Sequence, residues 1–177
     1  MIQFTPSGAI TAWQLPDDAE AAEAAFLALL HNPAETWIRA YAFTMKALTD
    51  ECIAAHEAGV KLHIALDRSQ EVGTYEKPEV ERLVAAGVET TIATSYAGSK
   101  YIAHEKGLFT AAGECWEGST NFSSSAWKQI NTALQFVSPA YQAMQVRTFN
   151  HEVQYAWAQE RSYQLMANPP ASFVSST

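Results

Sequence analysis

The sequence predicts an α/β domain, a mixed and mostly parallel β-sheet with helices on both faces. Two observations carry this. Segments with helical periodicity alternate along the chain with short apolar runs of strand length. The 177 residues, 48% of them hydrophobic, suffice for one sizeable core and not obviously for two. A single domain over residues 1–166 is therefore expected, with a Pro/Ser-rich tail over 167–177.

The elements follow in order. DDAEAAEAAFLALL (17–30) has acidic residues in its first turn and apolar residues behind, so a helix is expected from Asp17 or Asp18. TWIRAYAF (36–43) reads as a buried strand. KALTDECIAAHEAG (46–59) reads as a helix stopped by Gly59, and VKLHIALD (60–67) as a strand. The polar stretch SQEVGTYEK reads as a loop, with Gly73 a candidate for bordering a cleft. PEVERLVAAG (78–87) is a short helix between Pro78 and Gly87. VETTIATS, YIAHEKGLF and CWEGS read as strands, with a turn at AAGE. TALQFV (132–137) is a further strand, and a long helix is expected over 139–166.

Composition removes several function classes. No apolar run reaches the roughly 18 residues that span a bilayer. The opening residues have no basic start and no long apolar core, so no secretory signal and no membrane span are read, and a cytoplasmic location is expected. Cys52 and Cys115 form no CxxC and are expected to be reduced, buried thiols. The net charge of −8 argues against a general coat of duplex nucleic acid but leaves room for a local basic cleft. HEKGL is not HExxH. There is no GxSxG and no phosphate-binding GxxxxGK, and no metal ligand set or cofactor motif is evident.

The chemistry concentrates in residues 104–121. His104 and Lys106 are two apart, which on a strand sends both to one face. A nucleophile or proton carrier beside a fixed positive charge suits a phosphate ester. Alone, such a pair is commonly structural. GSTNFSSS begins with Gly118, suited to a tight bend, and offers the Ser119 hydroxyl and Asn121 amide, again two apart. Phosphate oxygens accept from such donors, and a helix beginning at SSSAWKQ would add backbone N–H groups. A Ser-rich capping turn is the competing explanation. His31, His56, His63 and His151 read as structural. The tryptophans and tyrosines read as core rather than as a base-stacking platform.

Together the two pieces, HxK and GSxN, resemble the phospholipase D superfamily, and most of all its single-motif Nuc-type endonucleases. FTPSG, IRAYAFT and AAHEAGVKLHIALD extend the resemblance over roughly residues 4–160. The resemblance implies a metal-independent phosphodiesterase, most naturally an endonuclease, with no cofactor. His104, Lys106 and Asn121 would be catalytic, and Gly118, Ser119, Lys106 and Asn121 would bind phosphate. It further implies a covalent phosphohistidine and a homodimer with the site on its two-fold axis, because one chain holds one HxK. A phospholipid or small-phosphodiester hydrolase, or a phosphate- or nucleic-acid-binding protein without turnover, remain open alternatives. Two departures stand out. The motif Asp falls on Ala111, and the acidic residue that orients the histidine in relatives has no obvious counterpart, Asn131 being the nearest polar residue.

Overall fold

The structure is a computed structural model that describes residues 4–31, 35–71, 74–98 and 100–158. Gly73, the last turns expected for the C-terminal helix and the 167–177 tail lie outside the described residues. In chain order the elements are β1 (Thr11–Leu15), α1 (Ala19–Leu30), β2 (Glu35–Ala40), α2 (Lys46–Glu57), β3 (Lys61–Asp67), α3 (Arg68–Glu71), α4 (Lys77–Ala85), β4 (Glu89–Ala93), β5 (Lys106–Thr110), β6 (Glu114–Gly118), β7 (Asn131–Val137) and α5 (Pro139–Ala158).

The strands form one seven-stranded sheet in the order β1-β7-β6-β5-β2-β3-β4. It is mixed, as expected, but the parallel part is confined to β2, β3 and β4. The other four strand pairs are antiparallel. The physical reason is the connections. Of the strands that follow one another in the chain and also pair in the sheet, only β2–β3 and β3–β4 are linked through a full helix, whereas β5–β6 is a tight hairpin through Gly113 at φ +85°.

Strand alternation sorts the core into two layers. Ile38, Ala40, Leu62, Ile64, Leu66, Ile92, Leu108 and Trp116 pack against α1, α2 and α4 through Phe26, Leu30, Leu48, Cys52, Val80 and Leu83. Phe26 meets Trp116 edge-on, with ring centroids 5.2 Å apart. On the other face Trp37, Ala65 and Ala93 meet Phe149 and Val153 of α5. Each large buried side chain contributes about 2 kcal/mol by removal from water. Both cysteines are buried free thiols. His63 is structural as read: it lies between Glu35 and Glu89, 2.9 Å from each, and stacks on Trp37.

Several expectations are corrected. β1 is a strand that the sequence pattern does not reveal. It lies at the sheet edge with only Leu15 fully buried, so it lacks the alternation that marks a strand. Residues 101–105 lie outside the ladder, and β5 begins only at Lys106. The segment SSSAWKQ forms a single 3-10 turn, Ala126–Lys128, so no helix amino terminus faces the GSTN turn. Within the polar stretch after β3, Arg68–Glu71 forms one helical turn.

Candidate active site at the carboxyl edge of the sheet

β2, β3 and β4 run parallel, and their carboxyl ends share one edge of the sheet. In α/β folds that edge is where ligands are met. His104 and Lys106 lie there because β5 runs antiparallel to β2, with Lys106 paired to Ala40, the last residue of β2. The segment leading to them is pinned from β3. Asp67, fully buried, accepts the Ala103 N–H through Oδ2 at 2.6 Å, while its Oδ1 accepts the Ser69 N–H and hydroxyl. Thr94 donates to the Tyr101 carbonyl at 2.5 Å, and the Tyr41 N–H donates to the Glu105 carbonyl at 2.9 Å. His104 is thus held by a chain of backbone anchors although it stands outside the ladder.

The His104 ring is exposed and lies 4.5 Å from the Tyr41 ring, tilted by 54°. Tyr41 is fixed in turn by Gln70, whose amide donates to its phenolic oxygen at 2.9 Å. Lys106 is 3% exposed. Its Nζ donates to the His104 carbonyl at 2.8 Å and stands 5.1 Å from the Tyr41 ring centre. No carboxylate forms an ion pair with it among the described residues. Burial therefore pulls its pKa down to about 8. Desolvation and then the Lys106 charge depress His104 below the ordinary histidine value. At neutral pH the imidazole is consequently mostly neutral and the ammonium still largely charged.

Glu105, between them, turns the other way, as alternation predicts. It meets Arg39 at 3.1 Å. Arg39 also donates to both oxygens of Glu152, at 3.0 and 2.7 Å, and to Gln145. This buried network joins the strand carrying Lys106 to α5. Glu117 lies in the same region and accepts from the Tyr141 hydroxyl. Burial, reinforced by the neighbouring Glu105 carboxylate, pushes its pKa up to about 7.

The GSTN turn arrives from β6. Gly107 pairs with Glu117, so continuing that register sets Gly118 opposite Lys106. Gly118 is required by close approach rather than by a tight bend: a Cβ there would lie 2.2 Å from the Thr132 carbonyl oxygen of β7. The Ser119 N–H donates to that carbonyl, and the Ser119 hydroxyl donates to Asn131 Oδ1 at 2.9 Å while accepting the Thr132 N–H. Asn131 spends its NH2 on the Ala126 carbonyl. It therefore braces Ser119, and its amide is not directed at the His104 ring, the role expected of it from sequence. Asn121 sits beside the end of β2, because Phe122 bridges to Phe43 and donates to the Ala42 carbonyl. Its side-chain Oδ1 is buried with no hydrogen-bond partner, an open polar group of the kind a ligand satisfies.

Ala111, where the motif Asp would stand, is at the opposite end of the sheet. It follows the last residue of β5, and its N–H donates to the Glu35 carbonyl at the start of β2. The five residues of β5 put roughly 17 Å between that turn and the histidine end.

Sequence reasoning missed Tyr41, Asp67 and the Arg39 network. For Asp67 a signal existed: an apolar strand ending in a carboxylate at the edge where such sheets place their sites. The reading of tyrosines as core also needs correction, since Tyr75, Tyr96 and Tyr101 are 80%, 46% and 49% exposed.

Likeness to known proteins decides the family. Residues 27–157, well over half of the chain, match the family described as cardiolipin synthase, PLD-like domain. The chain belongs to the phospholipase D superfamily. Its fold resembles that of Nuc from Salmonella typhimurium, a phospholipase D family member, with a TM-score of 0.74 at 17% identity over 83% of this chain and 95% of that one. NucT from Helicobacter pylori gives 0.72 at 13% identity, over 83% and 96%. A phosphatidylserine synthase from Haemophilus influenzae gives 0.59 at 13%, over 87% of this chain and 42% of that one. No curated protein sequence matches the chain. These likenesses establish the fold.

Proposed function

We propose that the protein is a metal-independent phosphodiesterase that cuts nucleic acid nonspecifically as an endonuclease. The observation that carries this reading is the pairing of an exposed His104 with a buried Lys106 that forms no ion pair among the described residues. An unpaired buried cation is costly and is retained where an anion is to be bound. Asn121 supplies a second phosphoryl contact by donating from its side-chain NH2.

In the proposed reaction the His104 imidazole attacks phosphorus. An N–P bond forms, and the P–O bond to the leaving strand breaks. A protonated histidine gives its proton to the departing oxygen. Water then attacks the phosphohistidine, losing its proton to the same second histidine, and the phosphate monoester leaves. Lys106 and Asn121 stabilise the charge on the phosphoryl oxygens throughout. One chain offers one such histidine, so the second is His104 of another copy related by a two-fold axis. The exposed Ile102 and Ile130, 44% and 87% accessible beside His104 and the Ser119–Asn131 brace, offer apolar surface for that contact. Among the described residues no helix is long and apolar enough to cross a membrane, and no cluster of three or more His, Cys, Asp or Glu side chains is arranged to hold a metal ion.

The test is a panel of single- and double-stranded DNA and RNA, with bis-p-nitrophenyl phosphate and a phospholipid, assayed in EDTA. Cleavage of nucleic acid without sequence preference, lost by several orders of magnitude in His104→Ala, is the expected result. Activity that needs an added divalent metal, or that survives His104→Ala above about a tenth, contradicts the reading. Turnover of the phospholipid alone contradicts the nuclease assignment and leaves the phosphodiesterase one. Mixed dimers with one His104→Ala subunit should be severely impaired rather than half active.

A further inference from the structure

Three strand spacings from His104 along the same sheet edge is a surface that the reaction does not use. Tyr96, just after β4, stacks on His151 of α5, with ring centroids 4.2 Å apart and planes inclined by 17°. Both residues are exposed. One face of the Tyr96 ring is spent on His151, and the residue is 46% exposed. Arg147 lies four residues before His151, hence on the same face of α5, and is exposed. In the adjoining loop the Lys100 ammonium stands 5.1 Å from the centre of the exposed Tyr101 ring.

Charge sets this surface apart from the rest of the molecule. The chain carries 19 acidic residues and a net charge of −8. Residues 94–103 hold none of those acids, and α5 holds only Glu152, which is 4% exposed and bonded to Arg39. The visible ionic groups are thus Lys100, Arg147 and, when protonated, His151. β4 and β5 are separated by β3 and β2, so the stack and His104 are roughly 14 Å apart along one edge. That distance is about the reach of a few nucleotides. Exposed aromatic faces interleaved with unneutralised cations are what unstacked bases and their phosphates bind. A duplex, whose bases are already stacked, has no use for the ring.

We infer that Tyr96, ordered by His151 and flanked by Arg147 and Lys100, forms a docking platform for single-stranded nucleic acid that leads the strand to His104. The inference rests on the nucleic-acid reading above and specifies its substrate as single strands.

Binding is measured rather than cleavage, by fluorescence anisotropy with a labelled oligodeoxythymidine of about a dozen nucleotides and with a matched duplex. The His104→Ala protein is used so that the strand stays whole. Tyr96→Ala should weaken binding of the single strand about tenfold and that of the duplex little, while Tyr96→Phe keeps the affinity. Arg147→Ala should reduce the slope of log affinity against log salt by about 0.7 on the single strand. Unchanged affinity in Tyr96→Ala, or an equal loss on the duplex, would overturn the platform. A shift of Tyr96→Ala to monomer in sedimentation would also overturn it, because the surface would then be an interface between copies. The nuclease reading fails separately, if the wild-type protein cuts no nucleic acid in the substrate panel whatever the binding data show.

Discussion

Arg39 and Lys106 are two buried cations one residue out of register on adjacent strands: Arg39 pairs with Gly107, and Ala40 with Lys106. Arg39 is 5% exposed and meets Glu152, Glu105 and Gln145. Lys106 is 3% exposed and meets a backbone carbonyl and the face of a tyrosine. Burial is the same and neutralisation is opposite. The consequence shows in their proton affinities. The carboxylates around Arg39 outweigh its desolvation and hold its proton more tightly, whereas desolvation lowers Lys106 to about 8. Sheet alternation brings this about, sending Arg39 toward α5 and its acids and Lys106 to the opposite face, beside Tyr41. A cation built into the architecture is surrounded by its counter-charges. One kept for an incoming phosphate, the role proposed for Lys106, forms no ion pair of its own.

The largest effect expected from breaking this contrast is at Arg39. Arg39→Met leaves Glu152, Glu105 and Glu117 without their cation in a buried setting, so urea unfolding should show a loss of about 3–5 kcal/mol. Turnover per folded molecule should change far less than stability does.

The pH profile sharpens the contrast next. Lys106 must be charged to hold a phosphoryl oxygen, so kcat/KM for bis-p-nitrophenyl phosphate should fall as pH rises through about 8. On the acid side it should fall as His104 becomes protonated, below the ordinary histidine value. If Lys106→Arg retains measurable activity, its alkaline limb should be missing, since a guanidinium stays charged. An unmoved limb would assign that ionisation elsewhere.

How much of this is legible in the sequence depends on the range of the interactions. HxK and GSxN are local patterns, so His104, Lys106, Ser119 and Asn121 stand out in the chain itself, as do the helices bounded by Gly59 and Gly87. The turn of Glu105 away from His104 follows from strand alternation alone. The partners of Arg39 lie 66, 106 and 113 residues away, and no local period encodes them. The segment YIAHE reads as strand because its residues suit one, yet Asp67 and Thr94 hold it outside the ladder. β1 escapes notice because an edge strand exposed on much of its surface has no buried face to alternate.

A smaller effect is expected at Glu117. Its folded-state pKa of about 7 lies above that of an unfolded glutamate, so the folded chain binds the extra proton between them. Stability should decline as pH rises from about 5 through 7, and Glu117→Gln should remove about 1 kcal/mol of that decline, as read by thermal melts across the range. Equal pH slopes in the two proteins would place the ionisation on another group.

The smallest effect is expected where family pattern and sequence differ. Ala111 is exposed in a turn at the end of the sheet away from His104. Restoring the motif carboxylate with Ala111→Asp should change turnover by less than about twofold and stability by no more than about 0.5 kcal/mol. A large gain in kcat would mean that the turn communicates with the site across β5.

The contrast between the two buried cations is tested most directly by Lys106→Met, with melting and turnover measured on one preparation. A lysine held for substrate is a cost to the fold, so the variant should be as stable as the wild type or more stable by about 1 kcal/mol. It should lose at least about a hundredfold in turnover of bis-p-nitrophenyl phosphate. A variant that keeps more than about a tenth of the turnover, or that loses stability as Arg39→Met is expected to, would show that Lys106 serves the fold and not the phosphate.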